Sequence, residues 1–277
     1  MGAMHLLPPG NGKASRPWGA PTMARWRYRI AMDTPRPVAL VTGAARRLGA
    51  AIARRLHAEG YDLALHYRGS SDAMQALAAE LEAAREGSVL TLQADLAEFD
   101  RLPELVARTI GRFGRLDALV NNASGFTPTP LGTATPAQWD ALFAANARAP
   151  FFLSQAAAPH LKAARGAIVN LADIYADRPL RDHPVYCMSK AALVMATKSL
   201  ALELAPEVRV NAIAPGAILW AEDGTDDQRK AAMLARTPLG RTGTPEEVAD
   251  AVAWLLSRAT YATGQVVRLD GGRMLEA

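Results

Sequence analysis

Short β-branched and aliphatic runs alternate with alanine-rich amphipathic stretches from Val38 to Leu269, and this alternation limits the fold more than any single motif. A run of four to six apolar residues suits a strand buried on both faces, and a stretch with helical apolar spacing packs back over it. Strand and helix repeating in turn is the pattern of βαβ units, and therefore of a parallel sheet with helices on both faces. The expected strands are Val38–Thr42, Asp62–Tyr67, Val89–Ala94, Ala118–Asn121, Ala167–Leu171, Arg209–Ala214 and Gly264–Leu269. The expected helices are Leu48–Glu59, closed by Gly60, then about Ser71–Arg85, Leu102–Arg112, a long one over roughly Pro136–Leu161, and Tyr186–Leu204. No repeat and no linker breaks residues 37–277, so the expectation is an α/β fold, a single doubly wound domain.

The strand ends carry the chemistry. Val41-Thr42-Gly43-Ala44-Ala45-Arg46-Arg47-Leu48-Gly49 joins the first strand to its helix. A glycine turn there lets backbone N–H groups and the helix dipole meet a pyrophosphate. The second strand ends in His66-Tyr67-Arg68-Gly69-Ser70, with no carboxylate before Asp72. An acidic residue at that point would hold a ribose 2′-hydroxyl, whereas arginine suits a 2′-phosphate. The cofactor expected is NADPH. Further on, Tyr186 and Lys190 stand at i and i+4, on one face of a helix, so the ammonium can lie near the phenol. An ordinary tyrosine has a pKa of about 10 and a nearby cation favours its ionised form, so the pair is expected to be tuned towards neutral pH. Asp173 stands thirteen residues ahead of Tyr186.

The glycine turn, the Val120-Asn121-Asn122-Ala123 run and the Asp173, Tyr186 and Lys190 set, in that order, resemble the short-chain dehydrogenase/reductase superfamily. Within it they are similar to the pteridine reductases. The resemblance runs from about Pro37 to Gly272 and implies a Rossmann-type domain. Arg47 stands where the superfamily usually has a middle glycine, and the basic pair Arg46 and Arg47 matches the pteridine reductase loop. Most of the superfamily carries serine where this chain has Asp173, and pteridine reductases carry aspartate. The resemblance implies that Asp173, Tyr186, Lys190 and Asn146 are catalytic, with Asn146 holding the lysine through a water relay. It gives Asp95 and Leu96, together with Asn122, Ala123 and Ser124, adenine and ribose contacts, and it gives Pro215 and Gly216 the nicotinamide. Phe126 matches a ring that sandwiches a pterin against the nicotinamide, and Ser124 a polar contact. Trp220 is a candidate for the far wall of the pocket.

The implied activity is NADPH-dependent reduction of a pterin ring C=N bond, taking a dihydropterin, and by extension dihydrofolate, to the tetrahydro form. Chemistry points the same way: an ionised aspartate would repel the oxygen that gains charge when a ketone is reduced. A turn-capping role for Asp173 competes with this reading. Two other readings stay open, a carbonyl or enone reductase of the same fold and a protein that senses NADP(H) without turnover. The family resemblance also implies a homotetramer built through the long helices.

Charge divides the chain of 277 residues unevenly. Residues 1–36 hold Lys13, Arg16, Arg25, Arg27, Arg29 and Arg36 against Asp33 alone, which leaves 25 basic and 26 acidic residues for the remainder. The body therefore gives no reason to expect nucleic acid. The leader, broken by prolines and glycines, is expected to be a disordered extension or an over-long start. Cys187 is the only cysteine, which rules out an internal disulfide and suits a reducing, cytoplasmic setting. No metal is expected, and no run reaches the roughly 20 apolar residues of a membrane span.

Overall fold

A computed structural model describes residues 35–218 and 227–275. The leader and Trp220 lie outside the described residues. Seven strands form one parallel sheet: β1 (Val38–Val41), β2 (Asp62–Tyr67), β3 (Val89–Gln93), β4 (Ala118–Asn121), β5 (Ala167–Leu171), β6 (Arg209–Pro215) and β7 (Val266–Leu269). Their order is β3-β2-β1-β4-β5-β6-β7, with every neighbouring pair parallel. The order reverses between β1 and β4, so the crevice beyond the carboxyl ends of these two strands is the natural ligand site of the fold.

Alternation along the strands explains the three layers. Ala39, Val41, Leu63, Leu65, Ala118, Val120, Ala167 and Val169 face one core. Val38, Leu40, Ala64, Leu119 and Ile168 face the other. Successive side chains of a strand point to opposite faces, so apolar residues at every position demand cover on both sides. Helices α1 (Arg47–Ala58) and α2 (Ser71–Ala84) supply the first cover through Ile52, Leu56 and Leu77. Helix α3 (Arg101–Phe113) supplies the second through Leu102 and Leu105. Each such buried aliphatic side chain contributes roughly 1.5–3 kcal/mol.

The long helix expected over 136–161 is two helices. Helix α4 (Pro136–Phe143) runs into a π turn, Ala144–Arg148, and then into α5 (Ala149–Ala164). The extra residue in a π turn changes the direction of side chains downstream of it, and Asn146 sits inside this one. The tyrosine helix α6 (Pro184–Leu204) begins two residues earlier than expected. It is the one helix among the described residues long and apolar enough to cross a membrane by composition, and half of that window is buried in the domain. Two helices have no counterpart in the sequence reading: α7 (Asp227–Ala235) and α8 (Pro245–Ser257). The second is announced by a capping box in which Thr244 and Glu247 accept each other's backbone N–H. Its Val248, Val252 and Leu255 complete the cover over the first core.

Candidate active site

The glycine turn is held from behind. Thr42 Oγ accepts the N–H groups of Asn122 and Ala123 at 2.9 and 3.0 Å, and the Asn122 amide donates to the carbonyls of Thr42 and Gly43 at 2.9 and 3.0 Å. Asn122 and Ala123 thus lock the end of β4 to the end of β1. Gly43 is left-handed at φ 62°, and a Cβ there would lie 2.9 Å from Ala123 Cα; a Cβ on Gly49 would lie 2.1 Å from the Gly43 carbonyl oxygen. Arg47 holds a left-handed φ of 53°, so the backbone shape favoured by the family's middle glycine is kept with an arginine in its place.

His66 lines the cleft beside the glycine turn and is also bonded into the fold. Its ring is buried, Nδ1 accepts the Gly43 N–H at 3.2 Å, and Nε2 donates to the Ala94 carbonyl at 3.1 Å. Burial lowers its pKa, in keeping with a neutral ring whose tautomer those two partners fix. His66 therefore shapes the turn rather than offering charge to a cofactor. Charge comes from Arg46, whose Nε and Nη2 donate to Ser70 Oγ at 3.0 and 2.6 Å, drawing the turn to the start of α2. Arg46, Arg47, Arg68 and Ser70 line a cleft of about 1060 Å³ with Leu48, Tyr67, Asp95, Leu96 and Ser124. A helix start leaves N–H groups without intrahelical acceptors, so the turn and first turn of α1 fit a pyrophosphate and the arginines a 2′-phosphate.

A second hollow of about 200 Å³ shares Arg47, Leu48, Asn122 and Ser124 with the cleft, and it adds Asp173, Tyr186, Lys190, Pro215 and Gly216. The candidate catalytic and cofactor groups therefore meet at the carboxyl ends of β4, β5 and β6. Gly216 is required by close approach, since a Cβ there would lie 2.8 Å from Asp270 Cα.

Asp173 follows β5. Its Oδ1 accepts the Tyr175 N–H at 2.9 Å and so caps a short 3₁₀ turn, Ile174–Ala176, while Oδ2 accepts the Tyr186 hydroxyl at 2.7 Å. One oxygen thus caps local backbone and the other holds the Tyr186 hydroxyl. Burial raises the Asp173 pKa against the opposing pull of Tyr186, Tyr175, Lys190 and Arg273. Lys190 is buried, donates to the Leu171 carbonyl at 2.8 Å, and is lowered to about 8 by that burial, with Asp173 opposing.

The expected downward tuning of Tyr186 does not occur. Burial and the adjoining Asp173 carboxylate raise its pKa instead. The ammonium stands 5.8 Å from the ring centroid, whereas the carboxylate touches the hydroxyl. Burial is the larger cause, and the adjoining carboxylate adds to it.

Asn146 is fully buried and lines neither hollow. Its Oδ1 accepts from Ser124 Oγ and Gly125 N at 3.0 and 2.8 Å, and its Nδ2 donates to the Gly125 carbonyl and Ser189 Oγ at 3.0 and 2.9 Å. Among the described residues it makes no bond to Lys190; it joins the loop after β4 to α6. Phe126 is 59% exposed and meets the Tyr186 ring edge-on at 4.8 Å. It also stacks on His183 at 4.5 Å. His183 escaped the sequence reading, although its place three residues before Tyr186 puts it on the same helix face. Arg273, near Tyr175 and acting on Asp173, lay too far along the chain to be signalled.

Comparison with known proteins shows the family. The family model described as enoyl-(acyl carrier protein) reductase matches residues 43–273. Pteridine reductase 1 of Leishmania tarentolae is 38% identical, with 86% of this chain and 96% of the relative covered. A protein described as ketoacyl reductase 2 of the granaticin polyketide synthase of Streptomyces violaceoruber is 39% identical, covering 89% and 100%. A 3-oxoacyl-(acyl-carrier-protein) reductase of Staphylococcus aureus is 37% identical, covering 84% and 96%. The chain belongs to the short-chain dehydrogenase/reductase superfamily, is similar to the pteridine reductases, and is a nicotinamide-dependent oxidoreductase.

Proposed function

From this family membership we propose that the enzyme uses NADPH to reduce a pterin ring C=N bond, converting a dihydropterin, and by extension dihydrofolate, to the tetrahydro form. The observation that carries the reading is the 2.7 Å bond from the Tyr186 hydroxyl to Asp173, at the position where most of the superfamily has serine. NADPH bound in the cleft supplies the hydride to the ring carbon. The adjacent ring nitrogen must then take a proton.

Proton balance assigns the roles. With one proton between them, the pair is a phenol donating to a carboxylate, and releasing that proton would leave two adjacent anions. With two protons, Asp173 is a neutral acid that can give one to the ring nitrogen and return the pair to its single-proton state. Burial raises the Asp173 pKa and brings the two-proton state nearer to neutral pH. Tyr186, whose own pKa is raised, keeps its proton and orients the carboxyl. Lys190 is the cation behind the pair and moderates how far Asp173 is raised. Phe126 covers the flat substrate beside Tyr186, with Ser124 as a polar contact.

Kinetics of NADPH oxidation with dihydrobiopterin, beside a panel of ketones and an NADH control, test the reading. Pterin-dependent turnover with preference for NADPH supports it. Turnover of ketones alone establishes the second reading, a carbonyl reductase, which the 37–39% identity to oxoacyl and ketoacyl reductases favours. Binding of NADPH without any turnover would leave a sensor, a role that needs no Asp173–Tyr186 pair. The proposal includes a cytoplasmic homotetramer. Its support is the exposed apolar set Phe151 on α5 and Met188, Met195 and Leu202 on α6, the last three at seven-residue spacing. Light scattering of the purified protein decides the assembly.

A further inference from the structure

We propose that Thr129 and His183 are positioning residues that strap the loop after β4 to the start of α6 and so set Phe126 against Tyr186. The proposal rests on the reading that Phe126 covers the substrate.

Helix α6 starts without a side-chain cap of its own. Pro184 has no N–H to offer, and the cap residue His183 makes no side-chain cap bond. Helix starts need acceptors for their first N–H groups. Val185 finds one in Thr129 Oγ, 56 residues earlier in the chain, at a long 3.4 Å. Thr129 is 0% exposed although prolines flank it in a loop, and its N–H donates to the Asp182 carbonyl at 2.7 Å. Asp182 is itself held at a left-handed φ of 63°, a conformation a non-glycine residue keeps only when its surroundings fix it.

The second anchor is aromatic. His183 Nδ1 donates to the Arg181 carbonyl at 2.9 Å, which sets the ring plane, and the ring stacks on Phe126 at 4.5 Å and 19°. Phe126 meets Tyr186 at 4.8 Å and 86°. A ring 59% exposed on a loop has little enclosing packing to hold it. Its place is set by the His183 face and by Thr129 three residues along. The helix that carries Tyr186 and the loop that carries Phe126 are thus aligned by the same contacts. Phe126 moves neither hydride nor proton, so loosening the strap weakens binding of the substrate before it slows the chemistry.

Thr129→Val keeps the side-chain shape and removes the acceptor. It is expected to raise KM for the dihydropterin about fivefold, equivalent to about 1 kcal/mol at 1.4 kcal/mol per tenfold. KM for NADPH should stay within about twofold, since neither Thr129 nor His183 lines the cleft, and Thr129→Ser should restore the wild-type KM. His183→Ala should match Thr129→Val, with His183→Phe recovering most of the loss through its ring. A second readout needs no substrate: hydrogen–deuterium exchange of residues 124–131 and 180–187 in the ligand-free protein. Both segments should exchange faster together in either Thr129→Val or His183→Ala. Faster exchange confined to the mutated segment, or equal loss of pterin and NADPH binding, would overturn the strap. If the wild-type enzyme leaves dihydropterins unreduced, the proposed function fails, and exchange still decides the strap.

Discussion

Replacing Asp173 by serine separates the two enzyme readings most sharply. The carboxylate accepts from Tyr186 at 2.7 Å and from the Tyr175 N–H at 2.9 Å, and burial holds its pKa above the usual carboxylate range. Serine keeps a hydroxyl near that point but cannot release a proton at neutral pH. If Asp173 delivers the proton to the ring nitrogen, kcat for dihydropterin should fall about 10²–10⁴-fold, the usual worth of a general acid, or roughly 3–5 kcal/mol of barrier. NADPH affinity should change less than about threefold, because Gly43, Arg46 and Arg68 line the larger cleft and not the hollow that holds Asp173. Ketones should respond in the opposite sense. A unit charge about 4 Å from a developing oxyanion costs on the order of 4 kcal/mol at an effective dielectric of 20. Even a third of that cost, relieved by serine, speeds ketone reduction about tenfold. Single-turnover oxidation of bound NADPH, followed separately with dihydrobiopterin and an acetoacetyl thioester, measures both changes. Pterin turnover within threefold of wild type, or a parallel loss of pterin rate and NADPH affinity, would refute the proton assignment.

The arginines and Lys190 give further tests. Replacing Arg47 and Arg68 by alanine should weaken NADPH about 10–100-fold, in line with charge-assisted bonds of about 1.5–3 kcal/mol, and NADH less than threefold. Equal losses measured by titration would end the 2′-phosphate argument. Lys190 in the folded protein titrates at about 8, below its unfolded value of about 10.4. The folded state therefore binds fewer protons between those values, so this group's contribution to stability rises with pH across that window and is fully unfavourable below about 8. Lys190→Met removes a penalty of roughly 3 kcal/mol at pH 7, less one hydrogen bond, and should raise Tm by several degrees in calorimetry while lowering kcat. An unchanged or lower Tm would show that the buried ammonium is better solvated than its 2.8 Å bond to Leu171 indicates. For the reaction itself, kcat should decline as pH rises through the raised Asp173 pKa, because the two-proton state is lost. A rate that grows with pH across that range would place the proton donor elsewhere.

The strands were legible because burial on both faces leaves an unbroken apolar run, and the parallel, doubly wound sheet followed from the βαβ rule. Gly43, Gly49, Tyr186 and Lys190 were legible from turn and helix spacing, whereas Asn122 and Asp173 were marked by the family resemblance. What escaped depended on partners distant in sequence. The Tyr186 shift comes from burial and from Asp173 after β5, and spacing within α6 is silent about both. His66 lines the cleft, but that both its ring nitrogens bond back into the fold was not legible in the sequence. Asn146 was located by its place in the chain, but a π turn aims its amide at Ser124, Gly125 and Ser189. Helix α8 was legible and passed over: Thr244 and Glu247 spell its capping box.

Overall identity is a poor guide to substrate in this family. Relatives described as pteridine and oxoacyl reductases match at 38% and 37% over most of the chain. Two activities at nearly equal identity are compatible with one scaffold. Substrate choice falls to whatever follows β5, because that position faces the atom that gains charge or takes a proton. A hydroxyl there can donate to an oxyanion at every pH but cannot give up its proton. A carboxyl can give one up only when burial holds the proton to it, and the same burial makes its ionised form hostile to an oxyanion. The raised pKa of Asp173 thus favours proton supply to a ring nitrogen, and only the form left ionised beside Tyr186 opposes an oxyanion.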